Sequence, residues 1–292
     1  MIELVAPVRR VTVAAAVLAV AALATGQAQL SPSFYDAACP TLQQIVRRGM
    51  AQAIQTEARM GGAPPFSASS STTASPTSRC PATPPSPACA DVLALAARDA
   101  VTLLGGPNWT VLLGRRDALT ASPSVNLPSP GSLLPALLSS FRAKGLDARD
   151  LAALSGAHTV GFAQCSSFRT HVYNDTGIDS TFAAQLRAGV CPWTGVWRRQ
   201  QRSNLAPLEL QGTYRFDNAF FKDLIARRVL LRSDQELFGG GASNSTTDGI
   251  IRAHATNESL FAADFAAAMV KLGNLALTGS NGEIRLSCRR AN

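Results

Sequence analysis

The chain of 292 residues predicts an all-α fold in one domain. Apolar residues recur at three- and four-residue spacing over several long segments, the period of a helix with one buried face. Clusters of Gly and Pro separate those segments. No internal repeat or linker between cores is visible, and the length suits one sizeable core.

The first predicted helix covers residues 41–59, with Leu42, Ile45, Val46, Met50 and Ile54 on its apolar face. Residues 89–104, 133–143, 181–188, 218–227 and 260–272 continue the pattern, and turns are expected at 105–107, 122–131 and 239–241. Residues 109–113 read as a short strand. Residues 150–160, DLAALSGAHTV, predict another helix. Asp150 suits its cap, and Leu151, Leu154 and His158 share one buried face. Gly156 and Ala157 leave the backbone beside His158 uncrowded, so a flat cofactor can lie close. A neutral imidazole on a rigid helix is what an iron porphyrin needs as axial ligand. A core histidine with ordinary partners is the competing reading.

Residues 61–87 break the pattern. They are rich in Pro, Ser and Thr, and Phe66 is their only large apolar side chain. Such a composition predicts a solvated loop, or an O-glycosylated stretch, and no packed helix.

Residues 1–28 read as a secretory signal peptide, with Arg9 and Arg10 before a short apolar run and with Gly26 and Ala28 at the cleavage site. The run is too short to span a membrane, and no other stretch qualifies. Residues 29–292 then form the mature domain. The six cysteines fit an oxidising compartment, although the sequence alone leaves their pairing open. Asn108, Asn174, Asn244 and Asn257 stand in glycosylation sequons. The formal charge is +8 with pI ≈ 9.7, and loss of the signal lowers it by one unit. A basic secreted chain suits anionic cell-wall polysaccharide. Scattered basic residues and the secretion signal argue against nucleic acid.

Seven blocks stand in order: QLSPSFYDAACP, CADVLALAARDAV, GGPNWTVLLGRRD, DLAALSGAHTV, RFDNAFFKDL, RSDQELF and AAAMVKLGNLALTGSNGEIRLSCRRAN. Together they resemble the secreted plant (class III) haem peroxidases. The resemblance implies a monomeric two-lobed helical fold with haem b between the lobes and His158 as its iron ligand. Asp234, in Ser233-Asp234-Gln235, becomes the hydrogen-bond partner of His158; a helix cap is its alternative role. A calcium ion is implied at Thr159 and Asp217. Glu209 stands where aspartate is usual, and Gly212 where a threonine is usual, with Thr213 adjacent, so weakened calcium binding is expected. Pro128 matches the aromatic-substrate edge, and a turn role fits it equally. The implied disulfides are Cys39–Cys80, Cys89–Cys288 and Cys165–Cys191. The implied activity is oxidation of phenolic donors by hydrogen peroxide, as in a response to oxidative stress.

One family element is missing. Peroxide cleavage needs a distal histidine to move a proton and an arginine to stabilise charge, both from a helix patterned like RLHFHDCF. No such motif occurs here, and His171 and His254 lie in segments resembling ordinary helices. A one-base frameshift of a GC-rich coding for Arg-Leu-Phe-Phe-His-Asp-Cys-Phe yields Ala-Ser-Ser-Ser-Thr-Thr-Ala-Ser, the string from Ala68 to Ser75. The expectation is therefore a haem-binding chain with little peroxidase turnover. The alternative is a non-catalytic secreted remnant or a mispredicted gene product. Either way, the first helix and the Cys89 helix are expected to bare apolar surface.

Overall fold

The computed structural model describes residues 30–59, 86–120, 127–193, 203–212, 214–239, 246–275 and 282–292. The signal peptide, most of the Pro/Ser/Thr-rich stretch, Cys80, Thr213 and Asn244 lie outside them.

The chain is helical, as its apolar spacing predicts. Helix α1 (Leu42–Arg59) packs on α2 (Cys89–Leu103). Leu42, Val46 and Met50 recur every fourth residue along α1 and are buried. The expected bare face of α1 is thus covered, although Leu93 on α2 is 68% exposed. The first residue of α2 lacks a cap from its neighbour Ala88. Asp117 supplies one from a distance, accepting the Cys89 and Ala90 amides at 3.0 and 2.9 Å.

Next come α3 (Leu134–Arg142), α4 (Ala148–Ser155) and a 3₁₀ turn at Gly156–Thr159. After them β1 (Phe162–Gln164) leads into α5 (Cys165–Asn174) and α6 (Ser180–Gly189). Then β2 (Leu205–Pro207) pairs antiparallel with β1, placing Phe162 opposite Pro207 and Gln164 opposite Leu205. Helices α7 (Ala219–Ile225), α8 (Arg232–Gln235), α9 (Asp248–Thr256) and α10 (Glu258–Gly273) complete the chain.

Two local expectations are corrected. Residues 109–113 form no strand. Trp109, Val111 and Leu113 do alternate into the core, but the only ladder contact in this stretch is a lone bridge from Leu113 to Ser31. The 150–160 helix also starts earlier and ends sooner. Asp147 is the N-cap, and Asp150 is the third helical residue, which closes a reciprocal capping box with it. Helix α4 then stops at Ser155, so His158 sits on the tighter 3₁₀ turn.

The described residues form two apolar clusters. The larger draws Leu42, Leu95, Leu151, Phe220, Phe221, Phe261 and Phe265 into one core. The smaller holds Cys165, Phe168, Phe182, Leu186, Cys191 and Leu231. The chain passes between them several times, and two of these crossings bear on the site. One runs from Ala152 in the larger core to Ala163 in the smaller, and the other from Leu231 in the smaller to Leu237 in the larger. His158 lies on the first and Asp234 on the second. Disulfides Cys89–Cys288 and Cys165–Cys191 are formed. Cys39 is also disulfide-bonded; the expected partner, Cys80, is outside the described residues.

Candidate haem-ligand site

The capping box fixes where α4 starts, and Lys271 of α10 fixes how it lies. Its Nζ donates to both oxygens of buried Asp150, at 2.8 and 2.9 Å. Gly156 then brings the chain against the larger core. A Cβ there would stand 2.5 Å from Phe261 and 2.8 Å from Phe221. The sequence reading gave Gly156 a cofactor-side role, whereas its space is taken by these two rings. With the backbone pressed onto the core, the next side chain but one, His158, is directed to the seam.

There His158 Nδ1–H donates to the Asp234 carboxylate, 2.9 Å from Oδ2 and 3.0 Å from Oδ1. Because a carboxylate only accepts, the proton sits on Nδ1 and leaves Nε2 with a free lone pair when the ring is neutral. Phe220 packs edge-on against the imidazole at 6.0 Å. Burial disfavours the charged ring, but the charge and hydrogen bond of Asp234 prevail and raise the His158 pKa above its ordinary value.

Every histidine has an aspartate partner, so pairing does not single out His158. His171 Nδ1 is 2.8 Å from Asp175, and His254 Nε2 is 2.8 Å from Asp264. Exposure does separate them. The side chain of His158 is 35% exposed, against 2% for His171 and 0% for His254. Only His158 offers its second nitrogen to a large flat group. The residues therefore fit a haem on this side: a fixed tautomer, a rigid turn and an open face.

The stretch holding Pro128 is joined to the same site. Ser233 N–H donates to Pro130 O at 3.0 Å, and Leu134 N–H donates to Glu236 at 3.2 Å. Pro128 itself is exposed, next to Leu127 at 74% exposure.

Thr159, Asp217 and Glu209 also converge. Thr159 Oγ1 donates to Asp217 at 3.3 Å, and Asp217 and Asp223 both lie close enough to buried Glu209 for their charges to act on it. Burial raises the Glu209 pKa against the pull of two backbone amides, and the nearby Asp223 and Asp217 charges add to the rise. The oxygens are nevertheless already committed. Those of Glu209 accept the Gln211 and Gly212 amides. Asp217 accepts the Ala219 amide at 2.8 Å and pairs with Arg215 at 3.3 Å. Among the described residues no group of three or more His, Cys, Asp or Glu is arranged to hold a metal ion. Among the described residues the Glu209 and Asp217 oxygens are thus a poor match to calcium, which needs oxygens free to turn inward. Asp223 and Phe220 were absent from the sequence reading. Both lie on α7, and no spacing in the sequence connects them with Glu209 or His158.

Residues 64–257 match the family described as peroxidase. Peroxidase 22.3 of Oryza sativa subsp. japonica is 42% identical, with 94% of this chain and 95% of its own length covered. The chain belongs to the plant class III peroxidase family. Peroxidase P7 of Brassica rapa subsp. rapa is also 42% identical, over 90% of this chain and all of its own. Peroxidase 42 of Zea mays is 41% identical, over 92% of each. The alignment with the rice peroxidase runs over 313 positions, more than the 292 residues present here. It therefore opens gaps in this chain. Family membership implies haem, and with it hydrogen peroxide and donor substrates. No helix among the described residues is long and apolar enough to cross a membrane.

Proposed function

We propose that this chain is a secreted haem b protein of the peroxidase family whose turnover of hydrogen peroxide and phenolic donors is severely impaired. The observation that carries the proposal is the His158–Asp234 pair. It is the one histidine–aspartate pair whose second ring nitrogen faces an opening.

Bound at His158, haem supplies the redox-active iron that exchanges electrons with peroxide and with phenols. The chain contributes the rest. His158 presents its Nε2 lone pair, and Asp234 takes the Nδ1 proton into a strong hydrogen bond that makes the ring more basic. Phe220 and the Gly156 contact hold the ring against the core. Pro128 borders the side from which an aromatic donor would approach.

The impairment follows from the missing RLHFHDCF-like helix. Without a base, no side chain accepts a proton from the near oxygen of peroxide or returns it to the leaving oxygen. That loss alone costs roughly 10²–10⁴-fold, and loss of the arginine adds to it. The gaps that the rice alignment opens in this chain support the reading. A non-catalytic haem-binding remnant, or a mispredicted gene product, is the limiting case of the same loss.

Calcium enters only in weak form, because the Glu209 and Asp217 oxygens are engaged. Asn108, Asn174 and Asn257 are exposed, as glycan attachment requires. A monomer loosely held by acidic wall polysaccharide remains the reading of the charge.

The test is reconstitution of the full chain with hemin. A nitrogen-ligated Soret band that is lost in His158→Ala, with no fast spectral change on mixing with peroxide, is the expected result. Rapid peroxide turnover would overturn the impairment. An unchanged band in His158→Ala would overturn the ligand assignment.

A further inference from the structure

His254 occupies a place that suits a phenylalanine better. It is 0% exposed. Its ring lies 4.9 Å from Phe221 and 5.8 Å from Phe261, and those two rings are themselves 4.9 Å apart. Nε2–H donates to Asp264 at 2.8 Å. Burial lowers the pKa of the ring, so it is neutral and Nδ1 carries a lone pair. Nδ1 is buried and has no hydrogen-bond partner among the described residues. An unmet buried acceptor costs stability, and phenylalanine would fill the same space without that cost. What histidine adds is direction, because its one hydrogen bond fixes which way the ring faces.

Direction matters because of what the rings touch. The tips of Phe221 and Phe261 are the atoms that crowd Gly156, two residues before His158. A second path runs through α7. Phe221 meets Phe220 at 5.2 Å, and Phe220 meets the His158 imidazole at 6.0 Å. From His254 to His158 this path is three successive edge-on ring contacts. In a close-packed core a turn of one ring displaces the next.

The frame around His254 is closed. Asp264 Oδ2 also accepts Arg149 Nη1 at 2.8 Å, and Arg149 lies at the start of α4, the helix that ends at the Gly156 turn. Asn218, just ahead of α7, donates its Nδ2 to the His254 and Ala255 carbonyls at 2.9 and 3.0 Å. One histidine–aspartate pair is thus tied to both ends of α4 and to the start of α7.

We propose that His254 is a positioning residue for the haem ligand. Held by Asp264, it fixes Phe221 and Phe261, and through them and Phe220 it sets how the His158 ring lies against Asp234. The inference rests on His158 as the haem ligand and deepens that reading.

His254→Phe tests it, because the variant keeps a ring and removes the bond to Asp264, which retains Arg149. Its thermal midpoint should match or exceed the parent's. In the haem-free chain the His158 imidazole resonances should nevertheless shift, as read by nitrogen-correlated NMR. Hemin release to an apo-globin acceptor should quicken about three- to tenfold, less than the roughly 10–100-fold that removing a ligand's own hydrogen-bond partner costs. Asp264→Asn still accepts from Nε2–H and should match the parent, whereas Asp264→Leu should reproduce the shift. Unchanged His158 resonances in His254→Phe, or in Asp264→Leu, overturn the proposal. A His254→Phe chain that fails to fold, or that shifts the resonances only while losing stability, overturns it too, since His254 is then a packing residue. Shifted resonances in a chain without a nitrogen-ligated Soret band would sink the haem reading alone and leave the coupling of His254 to His158 standing.

Discussion

Gly156 lies so close to Phe261 that a single added methyl would come within 2.5 Å of the ring. This contact, two residues before His158, sets where the haem-ligand turn meets the core. Gly156→Ala should gain the slight helical preference of alanine and lose more to overpacking. The net expectation is a destabilisation of about 1–3 kcal/mol, read from the urea midpoint. Because the turn must move, hemin uptake should weaken in parallel. A variant as stable as the parent, with the same Soret band, would show that the two rings yield freely.

Asp234→Asn keeps a hydrogen-bond acceptor beside His158 and removes the charge. Asp234 is what holds the His158 pKa up against burial, so in the haem-free chain the ring should titrate at lower pH in the variant. Proton NMR of the imidazole would follow this directly. With hemin bound, the less basic ring should raise the reduction potential of the iron. A titration that does not move would mean that Asp234 acts only as a spacer.

His254 makes stability depend on pH. Burial lowers its pKa, with the Asp264 hydrogen bond and charge opposing, so the folded chain resists a proton that the unfolded chain accepts near pH 6.5. Stability from this residue is complete above about pH 6.5 and falls as the pH drops toward the depressed folded value. His254→Leu should flatten that acid limb. Asp264 keeps Arg149 at 2.8 Å, so it is not stranded by the change. Denaturation midpoints from pH 4 to 8, on the order of one per half unit, would show whether the slope persists.

Calcium removal should matter little. Since amides and Arg215 occupy the Glu209 and Asp217 oxygens, excess chelator is expected to change the melting temperature by less than about 2 °C. A large drop would mean that these carboxylates turn inward around an ion and release their present donors.

The sequence revealed the long helices because their apolar residues fall at helical spacing, as Leu42, Val46 and Met50 do. It misled at residues 109–113, where Trp109, Val111 and Leu113 alternate into the core but find no partner strand. Burial sets the alternation, whereas a strand also needs a neighbour, and sequence periodicity reports only the first. The β1–β2 pair was invisible for the opposite reason: three residues per strand carry too little pattern. The helix start was misplaced because the DxxD pair puts an acid at both ends of the capping box, and only geometry shows that Asp150 faces Lys271 while Asp147 caps. His158 and Asp234 were legible through resemblance. Asp223 and Phe220 were not, because what brings them to the site is the packing of α7.

The bridge from Cys89 to Cys288 spans 199 positions of the chain. It ties the last few residues to the start of α2, so most of the polypeptide is a covalent ring. A protease that cuts once anywhere between those two cysteines opens the ring without releasing a fragment. Such nicked molecules would keep their full mass on a gel until a thiol reductant is added.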